Sequence, residues 1–148
     1  MNPRLPKFAK GKFNPKFPEK YIGLKTPTYR SSWEQAFMRL CDEHPNVAKW
    51  ASESIRIPYK NPLTGRHTIY VPDFFIAYVD KNGKPHAEVI EIKPENQTLL
   101  EKAKSRMNQG QLIVNKAKWQ SAQAWCKNKG LRFRIVNEKD LFHQGKRR

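Results

Sequence analysis

The stretch VPDFFIAYVDKNGKPHAEVIEIKPE, residues 71–95, decides the fold. It reads as two apolar strands about a turn, with Asp73, Glu91 and Lys93 set inside the apolar runs. Burying an unpaired carboxylate or ammonium is expensive, so three charges in such a place require a partner, a metal or a chemical task. Glu91 and Lys93 are two apart, so on a strand their side chains leave the same face. Whether Asp73 joins them depends on the turn. A two-residue type I′ turn at Asn82-Gly83 pairs residue 81 with 84 and residue 73 with 92, which sends Asp73 to the opposite face. A three-residue loop Lys81-Asn82-Gly83, with Gly83 in a left-handed bulge, instead pairs 80 with 84 and 73 with 91.

In the second register Asp73 and Glu91 lie about 5 Å apart on adjacent strands. A divalent cation would remove the repulsion between them. Two carboxylates with the carbonyl of Ile92 and several waters suit Mg²⁺ or Mn²⁺, hard ions satisfied by oxygen, and disfavour zinc. Lys93 could orient or help deprotonate a water and balance charge on a pentavalent phosphate. The chemistry so assembled is in-line hydrolysis of a phosphodiester.

Outward from this hairpin, SSWEQAFMRLCDEH places Trp33, Phe37, Leu40 and Cys41 on one face of a helix expected over residues 32–44. After Pro45, Ile55, Ile57 and Tyr59 alternate as a first strand, and NPLTG turns the chain. Residues 67–79 and 86–93 are expected as the second and third strands. Thr98 with Glu101 forms a capping box at the head of a helical region that Gly110 divides and Gly130 closes. LRFRIV then alternates as a fourth strand, followed by a short turn of helix. The second and third strands are apolar on both faces, with Phe74, Ile76, Tyr78, Ile90 and Ile92 on one and Phe75, Ala77, Val79, Ala87 and Val89 on the other. Helices should therefore cover both sides of the sheet. The expected class is α/β, a mixed sheet of about four strands flanked by helices in the order αβββαβ.

The chain of 148 residues carries 29 Lys and Arg against 13 Asp and Glu, a formal net charge of +16. Such an excess repels itself in the compact state and suits a polyanionic partner, nucleic acid before membrane. No basic amphipathic helix, membrane-spanning run or signal-peptide core is visible, so membrane work is not expected. Cys41 and Cys126, without CxxC spacing, read as reduced buried thiols of a cytosolic protein. Residues 1–27 combine five prolines with seven Lys or Arg and scattered aromatics, and are expected as a basic arm. In that arm Phe8, Phe13 and Phe17 either stack on bases or dock on protein. A single domain over residues 28–142 and a basic tail over 143–148 complete the division.

The PD at residues 72–73 and EIK at 91–93, after a helix bearing Glu34, resemble the PD-(D/E)XK nuclease superfamily, whose core is of the restriction-endonuclease type. The wider pattern YRSSWEQAFMRLCDEHPNV, IPYKNPLTGRHTIYVPDF and EIKP is similar to the head completion nucleases of tailed phages, themselves similar to the endonuclease subunit that cuts transposon ends. The resemblance covers roughly residues 27–105. It implies that Asp73 and Glu91 bind metal, that Lys93 is the catalytic lysine, and that Glu34 is an acidic residue supplied by the first helix. Glu34 has a second reading, since Ser31 followed three places on by Glu34 is itself a capping box. The resemblance also implies double-stranded DNA as substrate and a setting in the infected host cytoplasm. The phage capsid or portal vertex becomes a second partner, with the virion as an address beyond the cytoplasm. Restriction-type folds often pair two subunits to cut two strands, which adds a homodimer to the forms implied. The alternative is a non-catalytic basic DNA-binding or virion structural protein, which explains the charge and the arm but leaves Asp73, Glu91 and Lys93 without a purpose.

Overall fold

The computed structural model describes residues 10–93 and 109–137. Its elements run β1 (Gly11–Lys12), a 3₁₀ turn (Pro18–Lys20), β2 (Thr28–Tyr29), α1 (Ser32–Glu43), β3 (Val47–Ser52), β4 (Ile57–Lys60), β5 (His67–Tyr70), β6 (Phe74–Val79), β7 (Pro85–Ile92), α2 (Gln109–Asn128) and β8 (Arg132–Val136). A four-stranded mixed sheet in the order β3-β6-β7-β8 forms the centre, antiparallel except for the parallel β7–β8 pair. Taken with α1 and α2, its strands follow the expected order αβββαβ, although one strand is not the segment expected.

The hairpin register is the one a three-residue loop requires. Phe74 pairs with Ile90 and Val79 with Pro85, and the amide of Asp80 donates to the carbonyl of Lys84 at 2.9 Å. Gly83 sits at φ 79°, a left-handed conformation that glycine adopts without a Cβ penalty. Continued one residue, this register sets Asp73 opposite Glu91.

Two expectations about the strands need correction. The run over residues 67–79 is not one strand but two, β5 and β6, broken at Val71-Pro72-Asp73. Proline has no N–H to give a ladder, so the chain bends there and β5 leaves to pair with β4 in a separate hairpin. The first strand of the central sheet is then not residues 55–59 but Val47–Ser52, which pairs with β6. A register shift between Val47 and Lys49 breaks its alternation, so no period of two shows in the sequence. The capping box at Thr98, the turn of helix after the last strand and the tail at 143–148 lie outside the described residues.

Helix α1 ends at Glu43 and buries Phe37, Met38 and Cys41 on the sheet, where Phe37 meets Phe74 with ring centroids 4.7 Å apart. On the opposite side, α2 and the β4–β5 hairpin share a cluster of Ile57, Tyr59, Tyr70 and Ala122, with Trp119, Trp125 and Phe133 packed against it. Both helices thus cover the sheet as its two apolar faces demand. Cys41 and Cys126 are buried free thiols.

Residues 10–27 run along the domain. Phe13 and Tyr21 make edge contacts with the fully buried Trp50, at centroid distances of 5.9 and 4.6 Å. Phe13 therefore docks on the chain's own core; Phe17 is exposed, and Phe8 lies outside the described residues. The buried carboxylate of Asp42 fixes this segment by accepting the amides of Lys16 and Phe17 at 2.8 and 3.0 Å. Lys20 adds Nζ contacts to the carbonyls of Asp42 and His44 at 2.8 and 2.9 Å. Asp42→Ala would leave two amides without acceptors, so it should lower stability by roughly 1–3 kcal/mol. Urea unfolding should show this as a lower midpoint at unchanged slope.

Candidate active site

The bend at Pro72 turns Asp73 out of the ladder at the end of the sheet where β7 also finishes. Its Oδ2 accepts the amide N–H of Ile92 at 2.8 Å, which ties the side chain to the neighbouring strand. Glu91, on β7, accepts a 2.6 Å hydrogen bond at Oε1 from the hydroxyl of Tyr70, itself buried at the end of β5. The expected pair is therefore brought together, each carboxylate held by a separate donor.

Electrostatics show what this proximity costs. Burial first, then the charge of Glu91, pushes the Asp73 carboxyl up to about 8. The Ile92 amide offsets part of this, while Glu34 and Glu53 add further negative charge. Glu91 is also raised by burial, with Tyr70, Lys118 and Lys93 opposing the shift. Burial and the charge of Glu91 raise the Tyr70 phenol well above its usual range, so Tyr70 remains a proton donor.

Lys93 follows β7. Its amide donates to Val136 at 2.8 Å, and its ammonium stands 5.7 Å from the centroid of the Trp119 ring. Glu34 sits in the first turn of α1 with features of both its readings. Its amide donates to Ser31 Oγ at 3.2 Å, as in a capping box, but its carboxylate accepts the amide of Arg30 and not that of the cap residue. Burial raises its pKa, and its charge reaches Asp73.

Three neighbours escaped the sequence reading. Tyr70 looked like part of the strand that carries Asp73. Lys118, on α2, stands 5.7 Å from the centroid of the Tyr70 ring and acts on Glu91 ahead of Lys93 among the two lysines. Glu53 takes a left-handed φ of 49°, donates its amide to the Asp73 carbonyl at 2.9 Å and pairs with Arg30. Only the fold brings these residues to Asp73. Of the glutamines considered near the site, Gln111 bonds Asn115 at 3.0 Å and Gln109 opens α2, while Gln97 lies outside the described residues.

The donors fit a hard divalent cation. Two carboxylates share one end of the sheet, and carboxylate oxygens are the donors that such an ion takes alongside waters or substrate oxygens. Among the described residues, no group of three His, Cys, Asp or Glu is placed to hold a metal.

Two outcomes follow from the geometry. Without metal, a carboxyl raised from 3.8 to about 8 holds its proton in the folded state and loses it when unfolded. Its contribution to stability is present below pH 4 and is lost as the pH rises to about 8. In EDTA, melting temperatures should thus fall between about pH 5 and 8.5 more steeply for the wild type than for Asp73→Asn. Separately, Tyr70→Phe removes the donor that aims Glu91 and leaves a buried carboxylate without it, so stability should fall by roughly 1–3 kcal/mol, read as a lower urea midpoint.

A family model described as TnsA-like endonuclease N terminal matches residues 44–138, a span that includes Asp73, Glu91, Ile92 and Lys93 but not Glu34. The head completion nuclease of Enterobacteria phage T4 is 37% identical over 142 residues, covering 88% of this chain and 92% of that protein. With the mixed sheet and its flanking helices, these matches assign the restriction-endonuclease-like fold. The chain belongs to the TnsA-like endonuclease N-terminal family.

Proposed function

We propose that this phage DNA endonuclease is metal-dependent, hydrolyses phosphodiester bonds of double-stranded DNA, and acts at the end of head filling. The observation that carries this reading is the pair Asp73 and Glu91, set opposite each other at one end of the sheet, where burial raises both carboxyls and the charge of Glu91 raises Asp73 further. A stable fold would discard such a pair unless something positive occupies the space between them.

Asp73, Glu91 and the carbonyl of Ile92 are the proposed ligands of Mg²⁺ or Mn²⁺. When bound, the cation supplies Lewis acidity at the scissile phosphate and lowers the pKa of the attacking water. Tyr70 and the Ile92 amide keep the two carboxylates aimed before any ion arrives. Lys93 orients the water for in-line attack and balances the charge that builds on the phosphate. Trp119 limits where its ammonium can swing. Glu34 acts through the field at Asp73, as an additional ligand or as the group that positions one.

The phage setting rests on the relative named a head completion nuclease. It favours work in the infected host cytoplasm, with the capsid or portal vertex as protein partner and the virion as a further address. Two-strand cutting by a homodimer is the corresponding proposal for assembly.

The test is supercoiled plasmid incubated with the wild type, Asp73→Ala or Lys93→Ala, each in Mg²⁺, Mn²⁺ or EDTA. Nicking by the wild type with either metal is expected, with loss in EDTA. Both variants should be at least ~100-fold slower, the scale typical for loss of a group that acts on the reacting atoms. Equal nicking by all three proteins would remove Asp73 and Lys93 from the chemistry.

A further inference from the structure

A cleft of about 600 Å³, one of whose lining residues, Glu53, is bonded to the backbone of Asp73, opens between segment 22–30 and segment 52–56. Lys25, Arg30 and Arg56 line it together with Thr26, Ser52 and Glu53. Among the described residues, no carboxylate pairs with Lys25 or Arg56. Two cations therefore face the same space with no ion-pair partner among the described residues, since the one carboxylate of the lining, Glu53, pairs with Arg30. Arg30 is held by Glu53 but still exposes over half of its side-chain surface, at 59%.

The walls are fixed in place. Ile22 donates its amide to the Trp50 carbonyl at 2.9 Å, and the Tyr21 hydroxyl donates to the Lys25 carbonyl at 2.9 Å. A Cβ at Gly23 would come within 2.3 Å of that hydroxyl, so only glycine lets the loop fold back over Tyr21. The opposite wall is bonded to the candidate active site itself, through the Glu53 amide and the Asp73 carbonyl at 2.9 Å. From Glu34 the same route returns to the cleft, since its carboxylate accepts the amide of Arg30 at 2.8 Å. Ile22 and Leu24 expose 51% and 102% of their surface at the rim, apolar groups suited to sugars and bases.

We infer that this cleft seats the phosphate backbone of the DNA strand leading to the cut, with Lys25, Arg30 and Arg56 as its cationic contacts and Glu53 holding Arg30 in position. The assignment rests on the nuclease reading above and adds the path of the substrate to it. A basic, hydroxyl-lined channel adjoining a catalytic end of the sheet has the chemistry of phosphate positioning, in which Lys, Arg, Ser and Thr fix the register of the strand without reading its bases. Such contacts act through counterion release, so their effect is visible in salt dependence.

The test measures binding in EDTA, apart from cleavage, with a fluorescein-labelled duplex of random sequence and anisotropy as readout. Lys25→Ala/Arg56→Ala is compared with Lys81→Ala/Lys84→Ala, which removes the same charge at the hairpin turn far along β6 and β7. The cleft variant should lose about 1.8 from the slope of log K against log salt, about 0.9 for each phosphate contact, and tens of fold in affinity at ~0.1 M salt. The turn variant should bind like the wild type. Thr26→Glu, which adds a carboxylate to the cleft and removes no cation, should also weaken binding. Equal loss in the cleft and turn variants, or wild-type binding by both cleft variants, would overturn the assignment. Wild-type protein that fails to nick while the cleft variants still lose binding would instead contradict the catalytic reading and leave the cleft standing.

Discussion

Two carboxylates facing each other in a half-buried space are the constraint around which the molecule is arranged. Burial raises both Asp73 and Glu91, and the charge of Glu91 raises Asp73 further. Features at both ends of the β6–β7 hairpin maintain that pairing. The bulged loop at Gly83 sets the register, Pro72 breaks the strand so that Asp73 leaves the ladder, and Tyr70 and the Ile92 amide each take one carboxylate. A protein selected for stability alone would replace either acid with an apolar residue. Keeping both is reasonable only where their charge has a use.

The hairpin and its register were legible because turn chemistry is local. A Lys-Asn-Gly loop with glycine at the bulge is one of few solutions, and each solution places the charges differently. The two flanking helices were legible for a similar reason, since strands apolar on both faces must be covered. Strand β3 was not legible: its bulge and exposed Lys49 hide the alternation, and its identity depends on pairing with β6. The break at Pro72 was hidden by apolar residues on both sides, although proline itself marked it. At the site, the motif residues carry a recognisable spacing, whereas Tyr70, Lys118 and Glu53 reach it from a separate hairpin, a distant helix and a left-handed kink. Their contribution is a property of tertiary structure alone.

The basic charge divides along similar lines. Part of the expected N-terminal arm is a strap: Phe13 and Tyr21 pack on Trp50, and Asp42 anchors the segment through two amides. The strap does more than close a core. By running past Trp50 to Arg30 it builds one wall of the cleft that adjoins the acids, so part of the segment expected as a basic arm gives shape to the proposed substrate path. Positive charge around a negative centre also suits a site that must draw in a polyanion and a cation together.

A carboxylate pair kept for a cation should exchange protons for it. Calorimetric titration of Mg²⁺ or Mn²⁺ into the metal-free protein near pH 7, in buffers of differing ionisation enthalpy, counts the protons released on binding. With Asp73 raised to about 8, binding should release a proton from the wild type. Asp73→Asn should bind weakly and release none. Tight binding without proton release, or the same release from the variant, would contradict a metal site at Asp73 and Glu91.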